Sequence, residues 1–245
     1  MYLTRIRAVF NLCIDKYEHF GVSINYPFRK YKIPKVKPRK TIALTKEQLN
    51  EIIKLDLNGK ERAKRAQLAF ITSLFTLGTN ATDLFDISLS DNIRIEYERN
   101  KTKKNRDDNA FISIKIEPEL KPYLELLKGS GEYVFCFREW YKNKPQFNKG
   151  INEGLKQIAD ILNEKHKKED QEKNFIFDFN FYDARRTIAS VMRNKLNISK
   201  DDISLCLNHA DTSHRMTDIY IETDFSILDK CGKSGARCPR MPKRI

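Results

Sequence analysis

Between Tyr26 and Lys46 the chain carries eight basic residues (Arg29, Lys30, Lys32, Lys35, Lys37, Arg39, Lys40, Lys46), no acid, and three prolines at 27, 34 and 38. Each proline fixes its own φ, removes an amide donor and pushes the preceding residue towards extended backbone. The stretch is therefore expected to be extended rather than helical, and it divides a short amino-terminal piece from a long body. Tyr26, Phe28 and Tyr31 are interleaved with the cations. An extended, cationic, aromatic-bearing connector suits tracking a phosphate backbone, with Lys35, Lys37, Arg39 and Lys40 as the candidate phosphate-contacting residues.

Residues 230 to 245 hold six more bases (Lys230, Lys233, Arg237, Arg240, Lys243, Arg244), again without an acid. These two stretches take 14 of the 46 Lys and Arg, leaving 32 against 33 Asp and Glu. The net charge of +13 thus belongs to two basic straps on a near-neutral body. That distribution favours a polyanionic partner, although the second strap could equally be a solvated tail.

Other classes fall away on composition. With 40% hydrophobic and 11% aromatic residues, 245 residues can build a real core, so a wholly disordered chain is excluded. No apolar run approaches the roughly 18 residues of a membrane span, and MYLTRIRAVF is no signal peptide. Five cysteines, scattered and without a CxxC pair, argue against a disulfide scaffold or structural zinc. A reducing, cytoplasmic setting is the default.

Residues 3 to 20 read as an amphipathic helix with Ile6, Phe10, Ile14 and Tyr17 on one stripe. One helix cannot bury its own apolar face, so this piece reads as the end of a domain. After the strap, Thr45 and Gln48 form a capping-box spacing that opens a helix with Leu49, Ile52 and Ile53 inward. Lys60 to Leu77 is predicted as a helix along Ala63, Ala66, Phe70 and Leu74, ended by Gly78. Ile93 to Tyr97 and Phe111 to Ile116 alternate in polarity, which predicts a β-hairpin with an exposed cationic tip. Helices are expected near Glu119 to Lys128, from Asn148 to Lys168 on Ile151, Leu155, Ile158 and Leu162, and from Tyr182 to Leu196. Ser199 and Asp202 cap another that ends near His209, and a last short helix carries Tyr220. The architecture is mainly α with a small antiparallel β-sheet (α+β).

No P-loop, GxGxxG, HExxH or GxSxG is present, and the acids form no clear two-metal spacing. Nucleic-acid chemistry on this chain would run without metal. It would need a nucleophile, a cationic cage for the transition state and an acid for the leaving oxygen. A tyrosine serves as nucleophile where neighbouring cations favour its phenolate. The candidates are Tyr182-Asp-Ala-Arg185-Arg186, Leu207-Asn208-His209 and Thr217-Asp-Ile-Tyr220. Periodicity alone does not bring them together. His209 with His214 and Cys206 is a possible metal cluster, but it lacks a fourth ligand.

In these residues the chain resembles the tyrosine recombinases, the phage integrase family, and among them the integrases of mobile elements in Bacteroides-like bacteria. The family pattern runs H-x-x-R-H, L-G-H and T-x-x-Y. Arg185 falls on its arginine, His209 on its histidine and Tyr220 on its nucleophile. Gly78-Thr-Asn80-Ala-Thr-Asp83-Leu84 resembles the first box, G-x-R-x-x-D-L, and Arg99-Asn-Lys101-Thr102 the lysine at a hairpin tip. Asn80 stands where that box has arginine, Tyr182 where the later box has its first histidine, and Asn208 where L-G-H has glycine. His209 precedes Tyr220 by 11 positions, a longer interval than the family usually has.

The resemblance implies the catalytic-domain fold of DNA breaking-rejoining enzymes over 44–229. It implies a core-binding (SAM-like) remnant over 1–25, a linker over 26–43 and a basic tail over 230–245. It implies a bacterial, nucleoid-associated enzyme that integrates or excises a mobile element. Tyr220 would attack a phosphate of double-stranded DNA, giving a 3′-phosphotyrosyl link. Arg185, His209 and Tyr182 would hold the phosphate, and Lys101 would protonate the leaving 5′ oxygen. No cofactor is implied. The partner is DNA, with a homotetramer on two duplexes and a monomer free in solution. Arg62 or Arg65 could stand in for the guanidinium that Asn80 lacks. A decayed DNA-binding remnant, or a type IB topoisomerase-like enzyme, is the alternative.

Overall fold

Thr45 and Gln48 open the main body as their spacing predicts. In the computed structural model, which describes residues 2–21, 25–29, 31, 43–88, 94–168, 177–208 and 229–233, the Gln48 amide donates to the Thr45 hydroxyl at 3.2 Å and the Thr45 amide to the Gln48 side chain at 2.9 Å. Two otherwise unpaired donors of α2 (Lys46–Lys54) are thereby satisfied. Its other end is closed by tertiary structure. The buried Gln67 amide donates to the carbonyls of Ile52 at 2.6 Å and Leu55 at 3.0 Å. Gln67 belongs to α3 (Glu61–Phe75), so the cap also fixes how the two helices meet.

The chain divides into two compact units, Met1–Thr41 and Ile42–Ile245. In the first, α1 (Tyr2–Glu18) buries no residue, consistent with one helix being unable to cover its own stripe. Ile6 and Tyr17 are exposed. Phe10 packs edge-on to Phe28 at 6.1 Å, and the Tyr26 hydroxyl donates to the Asn11 side chain at 2.8 Å.

The second unit is mainly helical with one two-stranded antiparallel sheet. Its spine is α3 against α7 (Lys144–Lys168). Gly154 permits the approach, because a Cβ there would sit 2.5 Å from the Ala66 methyl and 2.6 Å from the Arg62 carbonyl oxygen. Helix α7 begins four residues before the expected Asn148. Asn143 accepts from the Gln146 amide at 2.9 Å, and Pro145 sits in the first turn, where its missing donor costs nothing. Short helices α4 (Ala81–Leu84), α5 (Lys121–Leu126) and α6 (Phe137–Trp140) lie between. Phe85, Phe135, Phe137 and Phe147 form an aromatic core beneath them.

Strands β1 (Arg94–Glu98) and β2 (Phe111–Lys115) pair Ile95 with Ile114 and Tyr97 with Ile112. Helices α8 (Asp183–Asn194) and α9 (Lys200–Cys206) follow, the latter capped by Ser199 accepting from the Asp202 amide at 3.0 Å. Leu77, Ile112, Ile114, Ile188, Met192, Cys206 and Cys231 make a second, smaller core under the hairpin. Residues 229–233 are helical, across the expected boundary between the catalytic domain and the tail. Arg94 clasps Asp229 with both terminal nitrogens, at 3.0 and 3.1 Å, and reaches Ser113 with Nε at 2.6 Å. No helix among the described residues is long and apolar enough to cross a membrane.

Candidate functional site

The end of α3 prepares the site. Leu77 and Gly78 both turn to positive φ, and the Gly78 amide donates back to Ser73 at 2.7 Å. Hydroxyls lock this exit. Ser73 donates to the Thr79 carbonyl at 2.8 Å, Thr76 to Thr72 at 2.9 Å and Thr79 to Thr76 at 2.8 Å. The stiffened turn then presses on α8. A Cβ at Gly78 would lie 2.6 Å from the Arg185 Cα and 2.8 Å from its Cβ.

Arg185, in the first turn of α8, is only 6% exposed. One terminal nitrogen donates to the Gly78 carbonyl at 3.1 Å and the other to the Leu207 carbonyl. Arg99, just beyond β1 and 7% exposed, reaches the same turn. It donates to the Asn208 carbonyl at 2.8 Å and more distantly to Leu207 at 3.5 Å. Two buried guanidiniums therefore converge on one turn, immediately before His209. All their described hydrogen bonds go to backbone carbonyls, and both Nε–H groups are buried with no partner among the described residues. Burial first, and then the like charge of Arg99, pull the Arg185 guanidinium below its ordinary pKa. Asp83, whose charge favours the protonated form, offsets part of this.

Tyr97 lines the same region. The Thr79 hydroxyl already donates to Thr76, so at 3.0 Å it accepts from the Tyr97 phenol. Burial pushes the Tyr97 pKa up to about 12, which keeps this phenol protonated and unsuited to attack.

The hairpin tip is tied to both neighbours. The Asn100 amide donates to the Asp83 carboxylate at 2.9 Å, and its side chain to Asp86 at 3.2 Å. Lys101 follows, exposed, with the Thr102 and Lys103 amides folded back onto the Arg99 carbonyl at 3.1 and 3.0 Å. Asn208 closes the assembly. It adopts φ 49° and is 6% exposed. Its Nδ2 donates to the Ala110 carbonyl at 2.7 Å, while its Oδ1 accepts from Arg106 at 2.5 Å.

The other predicted residues fall as follows. Asn80 is the N-cap residue of α4, half-buried, with no capping bond from its side chain. Tyr182 is 47% exposed at the start of α8, with the Arg186 guanidinium 5.1 Å from its ring centre. His209, Tyr220, Lys35, Lys37, Arg39 and Lys40 lie outside the described residues, as does His214. Cys206 is buried in the second core, its thiol pKa raised by the Cys231 thiol that bonds it and then by burial. Arg62 and Arg65 are engaged elsewhere. The first pairs with Glu153 at 3.0 Å, and the second lies 4.8 Å over the Trp140 ring. The cation that sequence reasoning passed over is Arg99. It stood inside the quoted hairpin motif, and an arginine ending an alternating strand was its only signal.

No protein-family model, curated protein or solved structure matches this chain.

Proposed function

We propose that this chain is a tyrosine site-specific DNA recombinase with the catalytic-domain fold of DNA breaking-rejoining enzymes. The observation that supports it most is the meeting of boxes far apart in sequence. Gly78 of the first box and the Leu207–Asn208 turn both accept from Arg185. Asp83 of the first box holds Asn100 beside Lys101. Arg99 joins the hairpin to the turn that leads into His209.

The chemistry follows from those groups. Preorganised cations in a dry site stabilise charge that develops on a phosphate far better than cations in water. Arg185 and His209 face the non-bridging oxygens, Arg99 supplies the guanidinium that Asn80 lacks, and Tyr182 adds a phenolic hydrogen bond. The Tyr220 oxygen bonds to phosphorus, the bond to the 5′ oxygen breaks, and Lys101 gives that oxygen its proton. The 5′-hydroxyl of a partner strand reverses the step, so the phosphodiester energy is conserved. Four protomers act on two duplexes, in a bacterial cytoplasm and at the nucleoid.

A DNA substrate nicked so that the covalent adduct is trapped tests this reading. The parent chain is expected to form an adduct that resists denaturation, and Tyr220→Phe to form none while keeping its fold. A parent chain that binds DNA but never becomes linked to it overturns the recombinase reading and leaves a DNA-binding remnant.

A further inference from the structure

We propose that Asn208 is a positioning residue that sets the hairpin lysine against the turn leading into His209; the inference rests on the recombinase reading and adds a residue to it. Three points of the hairpin loop are held by this one side chain and its own backbone. Its Nδ2 takes the Ala110 carbonyl at 2.7 Å, and that same carbonyl accepts the Arg99 amide at 3.1 Å to close the ladder. Its Oδ1 takes Arg106 at 2.5 Å, in the middle of the loop. Its backbone oxygen takes the Arg99 guanidinium at 2.8 Å. The amide has only one workable orientation, because arginine can only donate and a carbonyl can only accept.

Arg106 is itself fixed by Asp108, whose carboxylate accepts from Arg106 Nε at 2.8 Å and from the Ala110 amide at 2.9 Å. The bond to Arg106 holds the Asp108 carboxyl below its ordinary range. Asp108, Arg106, Asn208 and Ala110 thus form a closed ring of hydrogen bonds that spans the base and middle of the loop. Lys101 lies in that loop, between Arg99 and the ring.

Residue type and backbone agree. Position 208 needs a positive φ, which glycine and asparagine accept most readily. Glycine would satisfy the backbone alone. Asparagine satisfies it and also reaches the hairpin. A buried amide that fills both its donor and its acceptor role places its neighbours closely. A displacement of about 1 Å in a general acid can cost on the order of 100-fold in rate.

The test uses the full chain and two trapped-adduct DNA substrates that differ in one atom. One has the natural 5′ oxygen as leaving group, the other a bridging 5′ sulfur, which leaves as a thiolate without needing a proton. Lys101→Ala is the reference for loss of the acid. Asn208→Gly keeps the backbone conformation and removes the ring. It is expected to slow adduct formation tenfold or more on the oxygen substrate, on the order of a partial loss of general acid catalysis. On the sulfur substrate it should run within about twofold of the parent, as Lys101→Ala does. A purely structural brace would slow both substrates alike. Equal slowing on the two, or a parent rate on the oxygen substrate, overturns the inference and leaves the recombinase reading standing. So does a Lys101→Ala chain that the sulfur does not rescue. A parent chain inactive on both substrates fells the reading and the inference together. Should Asn208→Gly lose its cooperative melt, Asn208→Asp, which keeps size and the Arg106 acceptor but not the Nδ2 donor, decides on the same pair of substrates.

Discussion

At the scale of the residue, the proposed function asks which guanidinium could serve where Asn80 supplies none. Asn80 offers no guanidinium, and the two arginines of α3 face Glu153 and Trp140. Arg99 arrives instead from the hairpin and meets Arg185 over Leu207. Loss of one preorganised donor at a developing oxyanion costs about 3 kcal/mol, or 10²- to 10³-fold in rate. Arg185→Ala and Arg99→Ala are each expected to lower trapped-adduct yield by about that factor. Asn80→Arg alone should change little, but in an Arg99→Ala background it should recover part of the loss. Adduct yields that fall no further in Arg99→Ala than in Arg62→Ala would remove Arg99 from the phosphate. Gly78 makes a second case. Its φ of +76° and the 2.6 Å approach to the Arg185 backbone leave no room for a methyl group. Gly78→Ala should destabilise the fold by about 2 kcal/mol or more, read as a lower urea midpoint at unchanged slope.

At the scale of the element, much was legible in the sequence. The reciprocal Thr45–Gln48 cap, the apolar stripe of α7 and the alternation of the two strands each encode one local rule, and each element formed. The strands came out as Arg94–Glu98 and Phe111–Lys115, the first displaced by one residue. What could not be read were features made by two elements at once. Gln67 reads as an unremarkable polar position in a helix, yet it caps a neighbour's carbonyls. Arg99 reads as a strand-end charge, yet its partners lie more than a hundred positions away. The meeting of Gly78 with Arg185 likewise had no local signal. A pH experiment tests how far β1 is packed against the α3 exit. The Tyr97 phenol holds its proton more tightly in the fold, about 12 against an ordinary 10.0. Its contribution is therefore complete below pH 10 and lost as the pH rises through about 12. Stability should drop by roughly 3 kcal/mol across that window from this group alone, at about 1.36 kcal/mol per unit. Tyr97→Phe should flatten that part of the curve in denaturant melts, and an equal drop in both chains would place the phenol in water.

At the scale of the whole molecule, the charge is what reaches furthest. A near-neutral body with straps holding 14 of 46 cations should bind DNA through counterion release, with affinity falling steeply as salt rises. Each phosphate neutralised contributes about 0.9 to the slope of log affinity against log salt. Replacing Lys35, Lys37, Arg39 and Lys40 with alanine should therefore flatten that slope by up to about 3.6. Fluorescence anisotropy over a salt series reads it directly, and an unchanged slope would mean that this strap does not touch DNA.

Asn208 and Asp229, the described residues that flank the interval 209–228, are both fastened to the same hairpin. Residues 209–228, Tyr220 among them, lie outside the described residues. One two-stranded hairpin therefore anchors the chain on either side of the interval that carries the proposed nucleophile, so damage to that hairpin would be felt at both ends of the interval at once.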